Sequence, residues 1–176
     1  MLGTYLEQVR EKGPLVHCIT NYVTVNDVAN ILLACGGSPI MSDEIQDVED
    51  ITSLCGGLVI NIGTLNQRTI PAMFAAGKRA NALGHPVLLD PVGAGASALR
   101  TRTALELMEE LDLAVIRGNI SEIKTLAAGS GTTQGVDADV ADSVTEEDLD
   151  GPIALVQSLA AETGAVIAVT GAIDLV

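Results

Sequence analysis

Short aliphatic runs and stretches of helical spacing take turns along the whole of this chain, and that alternation leaves few folds open. The runs at 15–19, 39–41, 58–62, 86–89, 113–117 and 165–170 have the length and bulk of buried strands. Between them apolar residues return at intervals of three and four: Leu2, Tyr5, Leu6 and Val9; Val25, Val28, Ala29 and Leu32; Ile70, Met73, Phe74, Gly77 and Ala80; Ala104, Leu107, Met108 and Leu111; Ile153, Val156 and Leu159. A weaker helix would turn Val48, Ile51 and either Leu54 or Cys55 inward, and 119–128 reads as another short one. Gly36, Gly84 and Gly164 stand where such helices stop. Thr103 and Glu106 have the spacing of a capping box. Strands that alternate with helices predict an α/β protein of three layers, with a mostly parallel sheet covered on both faces. Aromatic residues are only 2% of the chain, so the core must be aliphatic, as buried parallel sheets are.

The 176 residues fit one domain, and no repeat or linker divides them. A single domain over 1–176 is expected. The chain stops at Val176, close behind the sixth strand, which predicts a domain incomplete on its C-terminal side. From 137 to 150 there are seven carboxylates and no Lys or Arg, so an acidic, solvated loop is expected there.

A formal net charge of −14 argues against a nucleic-acid partner, which needs a basic face. Any phosphate must be met locally by backbone N–H groups, an arginine or a metal ion. Cys18, Cys35 and Cys55 are odd in number and lack metal-site spacing, so they read as reduced apolar fillers. No apolar run approaches membrane-spanning length, and a soluble cytoplasmic protein is expected.

Chemistry is concentrated where strands end. Asp90 closes the fourth run and is followed by Gly93 and Gly95, whose N–H groups would face outward to an anion beside a magnesium ion on the carboxylate. Its alternative is a turn cap. Arg117 to Glu122, Arg-Gly-Asn-Ile-Ser-Glu, follows the fifth run: Arg117 can fork onto a phosphate, while Asn119 and Glu122 share one side of a helical turn or form an ordinary N-cap pair. Thr170 ends the sixth run, either touching a phosphate or as a plain strand-end hydroxyl. His17 reads as a hydrogen-bonded core residue, and no Ser-His-Asp or Cys-His set assembles.

Taken together, Pro14 to Asn21, Gly37 to Met41, Asn61 to Thr64, Asp90 to Gly95 and Arg117 to Glu122 resemble the hydroxyethylthiazole kinases of the ribokinase-like superfamily, in order and in spacing. The resemblance implies transfer of the γ-phosphoryl of ATP to 4-methyl-5-(2-hydroxyethyl)thiazole in thiamine salvage. It implies that Met41 and Asn21 contact the thiazole, that Arg117, Asn119 and Thr170 contact ATP, and that Asp90 and Glu122 position magnesium and the phosphates. A homotrimer with sites at subunit contacts is implied as well. Such kinases carry a Gly-Ala-Gly-Cys or Gly-Ala-Gly-Asp turn after the strand matching 165–170, whose last residue is the base. No catalytic base is therefore assigned within 1–176, because Gly93 to Ala96 belongs to a different loop. The rival readings are another ribokinase-like enzyme, such as a hydroxymethylpyrimidine phosphate kinase or a dehydratase of hydrated nicotinamide nucleotides, and a non-catalytic thiazole-binding fragment.

Overall fold

A computed structural model describes residues 2–129 and 149–176. Contacts divide the chain into two compact units, Met1–Val87 and Leu88–Val176. Most of the acidic stretch 137–150 lies outside the described residues; its end is inside a helix.

The first unit runs α1 (Leu2–Lys12), β1 (Leu15–Ile19), α2 (Val25–Cys35), β2 (Ser38–Met41), α3 (Val48–Leu54), β3 (Leu58–Asn61) and α4 (Thr69–Leu83). Its strands lie in the order β2-β1-β3, all parallel, with Cys18 opposite Met41 and Ile19 opposite Ile60. The chain steps from β1 outward to β2 and then back across to β3. Right-handed crossovers in opposite directions put α2 and α3 on opposite faces, which makes the three layers. Ile60, Ile62 and Val48 are completely buried. Of the two candidates for the inner face of α3, Cys55 is buried and Leu54 is 69% exposed.

The second unit continues through β4 (Val87–Asp90), α5 (Ala98–Glu110), β5 (Val115–Asn119), α6 (Ile120–Gly129), α7 (Asp150–Thr163) and β6 (Val166–Thr170). Its strands follow sequence order, β4-β5-β6, again parallel. Leu89, Ile116, Leu107, Ile123 and Leu159 form its dry core. The described residues thus have the predicted α/β class, and Gly36, Gly84 and Gly164 close α2, α4 and α7 as expected.

Two local expectations are corrected. Helix α5 begins at Ala98, not near Thr103; Ser97 is its cap, accepting the N–H of Arg100 at 3.3 Å, and Thr103 is buried inside the helix. The fifth strand starts two residues later than the aliphatic run, because its ladder with β6 runs from Val115–Val166 to Asn119–Thr170. Arg117 and Asn119 are therefore strand residues, on the same exposed side of β5.

No helix among the described residues is long and apolar enough to cross a membrane.

Candidate functional site

The carboxyl ends of β4, β5 and β6 gather Asp90, Arg117, Asn119, Glu122 and Thr170 within the second unit. Parallel pairing sets Asn119 beside Thr170, whose hydroxyl donates to the Gly118 carbonyl at 3.4 Å. Arg117 Nη1 donates to Asp90 Oδ2 at 3.2 Å; the Arg117 side chain is half exposed while that of Asp90 is 14% exposed. The carboxylate thus has most of its hydration removed, and the guanidinium keeps access to solvent.

Glu122 is buried, and both of its oxygens are engaged. Oε2 accepts the Asn119 N–H at 2.9 Å, while Asn119 Oδ1 accepts the Glu122 N–H at 2.9 Å, a reciprocal cap at the start of α6. Oε1 reaches back to accept the Gly93 N–H at 2.8 Å, which fastens the loop after β4 to α6. The expectation that this loop offers free N–H groups to an anion is corrected: Ala94, Gly95 and Ala96 donate to the Pro91 carbonyl, Thr101 Oγ1 and the Gly93 carbonyl. Gly93 is required for shape, since its φ is 75° and a Cβ there would run into the Arg100 side chain.

The first unit holds a small cavity of about 140 Å³ at the carboxyl ends of β1 and β2, lined by Cys18, Thr20, Tyr22, Val25, Met41, Ser42 and Asp43. Met41 is on its wall. Asn21 is not, although its chain neighbours Thr20 and Tyr22 are. Its Oδ1 accepts from the Val23 and Thr24 N–H groups at 3.0 Å, and its Nδ2 donates to Asn61 Oδ1 at 3.0 Å. Asn61 Oδ1 also accepts the Gly63 N–H at 2.9 Å, and a Cβ on Gly63 would stand 2.9 Å from that of Asn21. Sequence reasoning placed neither Thr20 nor Tyr22 at a site. Asn61 closes β3, and the pairing of Ile19 with Ile60 brings it to the residues that follow β1, a neighbourhood that register sets.

A larger cleft of about 490 Å³ lies among Leu105, Met108, Asp112, Gly129 and Glu162. None of the candidate site residues lines it, so volume alone does not mark the chemistry.

Burial governs the titratable groups of the first unit. It pushes the Cys18 thiol up to about 11, with Cys55 adding to the effect, and it raises Cys55 as well. Both are protonated and shielded, whereas Cys35 is half buried. A maleimide at neutral pH is expected to modify Cys35 well before the other two; mass spectrometry of partly labelled protein checks the order.

His17 is held below its ordinary value, chiefly by desolvation, against the opposing pull of the Ser42 carbonyl and the Asp47 charge. It is neutral in the fold, while the unfolded chain takes up a proton near pH 6.5. Its contribution to stability is complete above that pH and declines as pH falls from there toward the depressed folded value. Urea midpoints taken across this window are expected to fall on acidification, and less steeply in His17→Gln.

The sequence profile of the hydroxyethylthiazole kinase family matches residues 6–176. The chain is 64% identical to the hydroxyethylthiazole kinase of Clostridium acetobutylicum over 176 residues, all of this chain and 64% of that protein. It is 56% identical to that of Desulfovibrio desulfuricans over 171 residues, 97% of this chain and 60% of the relative. It therefore spans somewhat under two thirds of the length of these relatives. The structure of the hydroxyethylthiazole kinase from Pyrococcus horikoshii OT3 matches with a TM-score of 0.84 at 40% identity, over 97% of this chain and 61% of that one. Adenosine kinase from Schistosoma mansoni, in complex with adenosine and AMP, matches at 0.51 and 13% identity, over 96% and 59%, a likeness of fold alone.

Proposed function

We propose, from the fact that this chain belongs to the hydroxyethylthiazole kinase family, that it serves transfer of the γ-phosphoryl of ATP to the hydroxyl of 4-methyl-5-(2-hydroxyethyl)thiazole. The observation that carries the reading is the family match over 6–176, which includes every candidate site residue. The size of the Met41 cavity supports a small heterocycle there, not a nucleotide. Met41 lies against the ring, and Asn21, which is not on that wall, takes part through its lining neighbours Thr20 and Tyr22, whose turn is held by its bonds to Val23, Thr24 and Asn61.

Arg117, Asn119 and Thr170 take the nucleotide at the ends of β5 and β6, where phosphoryl transfer needs alignment and charge neutralisation more than covalent chemistry. Magnesium, when bound, offsets the charge of the phosphates. Among the described residues no group of three or more His, Cys, Asp or Glu is arranged to hold an ion. Magnesium takes one or two carboxylates and fills the rest of its shell with water and phosphate oxygens, a demand that the largely buried Asp90 carboxylate can meet. Asp90 is the direct ligand in this reading, and Glu122 acts on the phosphates through the loop it fastens.

A cytoplasmic homotrimer belongs to the same proposal. Self-association draws support from α2, where Ile31 and Leu33 are more than half exposed, as are Tyr22 and Val23 ahead of the helix. Light scattering should give a mass well above the 18.1 kDa of one chain.

The test is ADP release by the full gene product on addition of the thiazole alcohol, with hydroxymethylpyrimidine phosphate as a parallel substrate, and calorimetry of the alcohol alone on residues 1–176. Thiazole-dependent turnover is the expected result. Turnover only with the pyrimidine moves the chain to the rival kinase, and binding without turnover makes it a thiazole-binding fragment.

A further inference from the structure

We propose that His17 is a positioning residue for the Met41 cavity: from the far side of β1, its ring fixes the peptide of Ser42 and so sets where Met41 and Asp43 stand on the cavity wall.

The ring is completely buried, where an imidazole with an idle nitrogen would be costly. Neither nitrogen is idle. Nε2 lies 2.9 Å from the Ser42 carbonyl oxygen, which can only accept, so Nε2 carries the proton. Nδ1 is then a bare acceptor, and the buried Thr52 hydroxyl of α3 donates to it at 2.9 Å. These partners allow one tautomer, and the ring is held between α3 and the segment after β2.

That segment needs such a hold. Strand β2 is the edge of its unit, and its ladder with β1 ends at the pair Cys18–Met41. Ser42 is the first residue past the ladder. Its side chain donates to Asp47 Oδ2 at 2.6 Å, and its carbonyl is taken by His17. Side chains alternate along β1, so Cys18 faces the cavity and His17 faces α3. His17 therefore acts through Ser42 without touching a ligand. The charged group that acts on the ring is Asp47, bonded to Ser42; α3 presents Thr52, which is uncharged.

The assignment rests on the proposed thiazole site, and the experiment separates the two. The chain and its variants His17→Gln, His17→Asn and Val48→Ala are titrated calorimetrically with 4-methyl-5-(2-hydroxyethyl)thiazole. Hydrogen exchange is followed over residues 42–48 in the same samples. Glutamine can carry its amide as far as Nε2 and restore the Ser42 bond, whereas asparagine is too short. Val48→Ala empties a buried site on α3 and leaves the His17 bonds in place.

The expected result is about tenfold weaker binding and faster exchange in His17→Asn, near wild-type behaviour in His17→Gln, and unchanged affinity in Val48→Ala. Equal affinity in wild type and His17→Asn overturns the assignment, and so does an equal loss in His17→Asn and Val48→Ala. If the wild type does not take the alcohol, the thiazole reading fails. The exchange data then decide alone: acceleration specific to His17→Asn upholds the anchoring of Ser42, and its absence refutes it.

Discussion

Glu122→Gln is expected to lower the melting temperature by about 5–10 °C and to weaken nucleotide binding at the same time. Each oxygen of the native carboxylate accepts one backbone N–H, from Gly93 and from Asn119. An amide retains one acceptor and turns an NH₂ toward the other donor, so one charge-assisted bond becomes an N–H facing an N–H. Losing such a bond at a buried site costs about 2–3 kcal/mol. Each kcal/mol moves the midpoint by about 2–4 °C in a chain of this size. The change is small in volume, but it unfastens the loop after β4 from α6, and Asp90 sits at the root of that loop. A misplacement of about 1 Å in phosphoryl transfer costs on the order of a hundredfold in rate. Scanning calorimetry and ATP titration of the same sample test both halves. An unchanged melting temperature would mean that the carboxylate does not hold the loop.

The dual position of Glu122 also shows what the sequence could and could not convey. Aliphatic runs announced the six strands of the described residues, because a buried parallel strand has to be continuously apolar. The start of β5 slipped by two residues, since Leu113 is buried without being in the ladder, and only pairing with β6 fixes where the strand begins. Thr103 and Glu106 mimicked a helix start because the capping-box pattern is short enough to arise inside a helix. The true cap, Ser97, lacks the glutamate partner that would have flagged it.

In the candidate site, Asp90, Arg117 and Thr170 were legible from position alone, standing at or near the ends of aliphatic runs. The cap between Asn119 and Glu122 was legible from spacing. The bond from Glu122 to Gly93 was not, for it spans 29 residues and depends on β4 and β5 being neighbours. The contacts of His17 with Thr52 and Ser42 were hidden for the same reason, being set by register and by the packing of α3.

Asp90→Asn should separate from Glu122→Gln by its signature: little loss of stability and a large, magnesium-specific loss of nucleotide affinity. Asp90 is paired with a half-exposed arginine, whose guanidinium water can serve once the charge is gone. The asparagine keeps an oxygen that Arg117 can still donate to, so the fold should tolerate it. What it removes is the negative charge that the proposed role requires. An interaction with a charged group is worth about 1.5–3 kcal/mol, so magnesium–ATP affinity should fall by roughly tenfold to a hundredfold. ATP titrated in the presence of a chelator should bind as well as to the wild type, or better, because Arg117 is freed from competing attraction to the carboxylate and can fork onto a phosphate. Calorimetric titration with and without magnesium reads both quantities. Equal losses in the two conditions would place Asp90 among the structural residues of the loop and remove it from the metal.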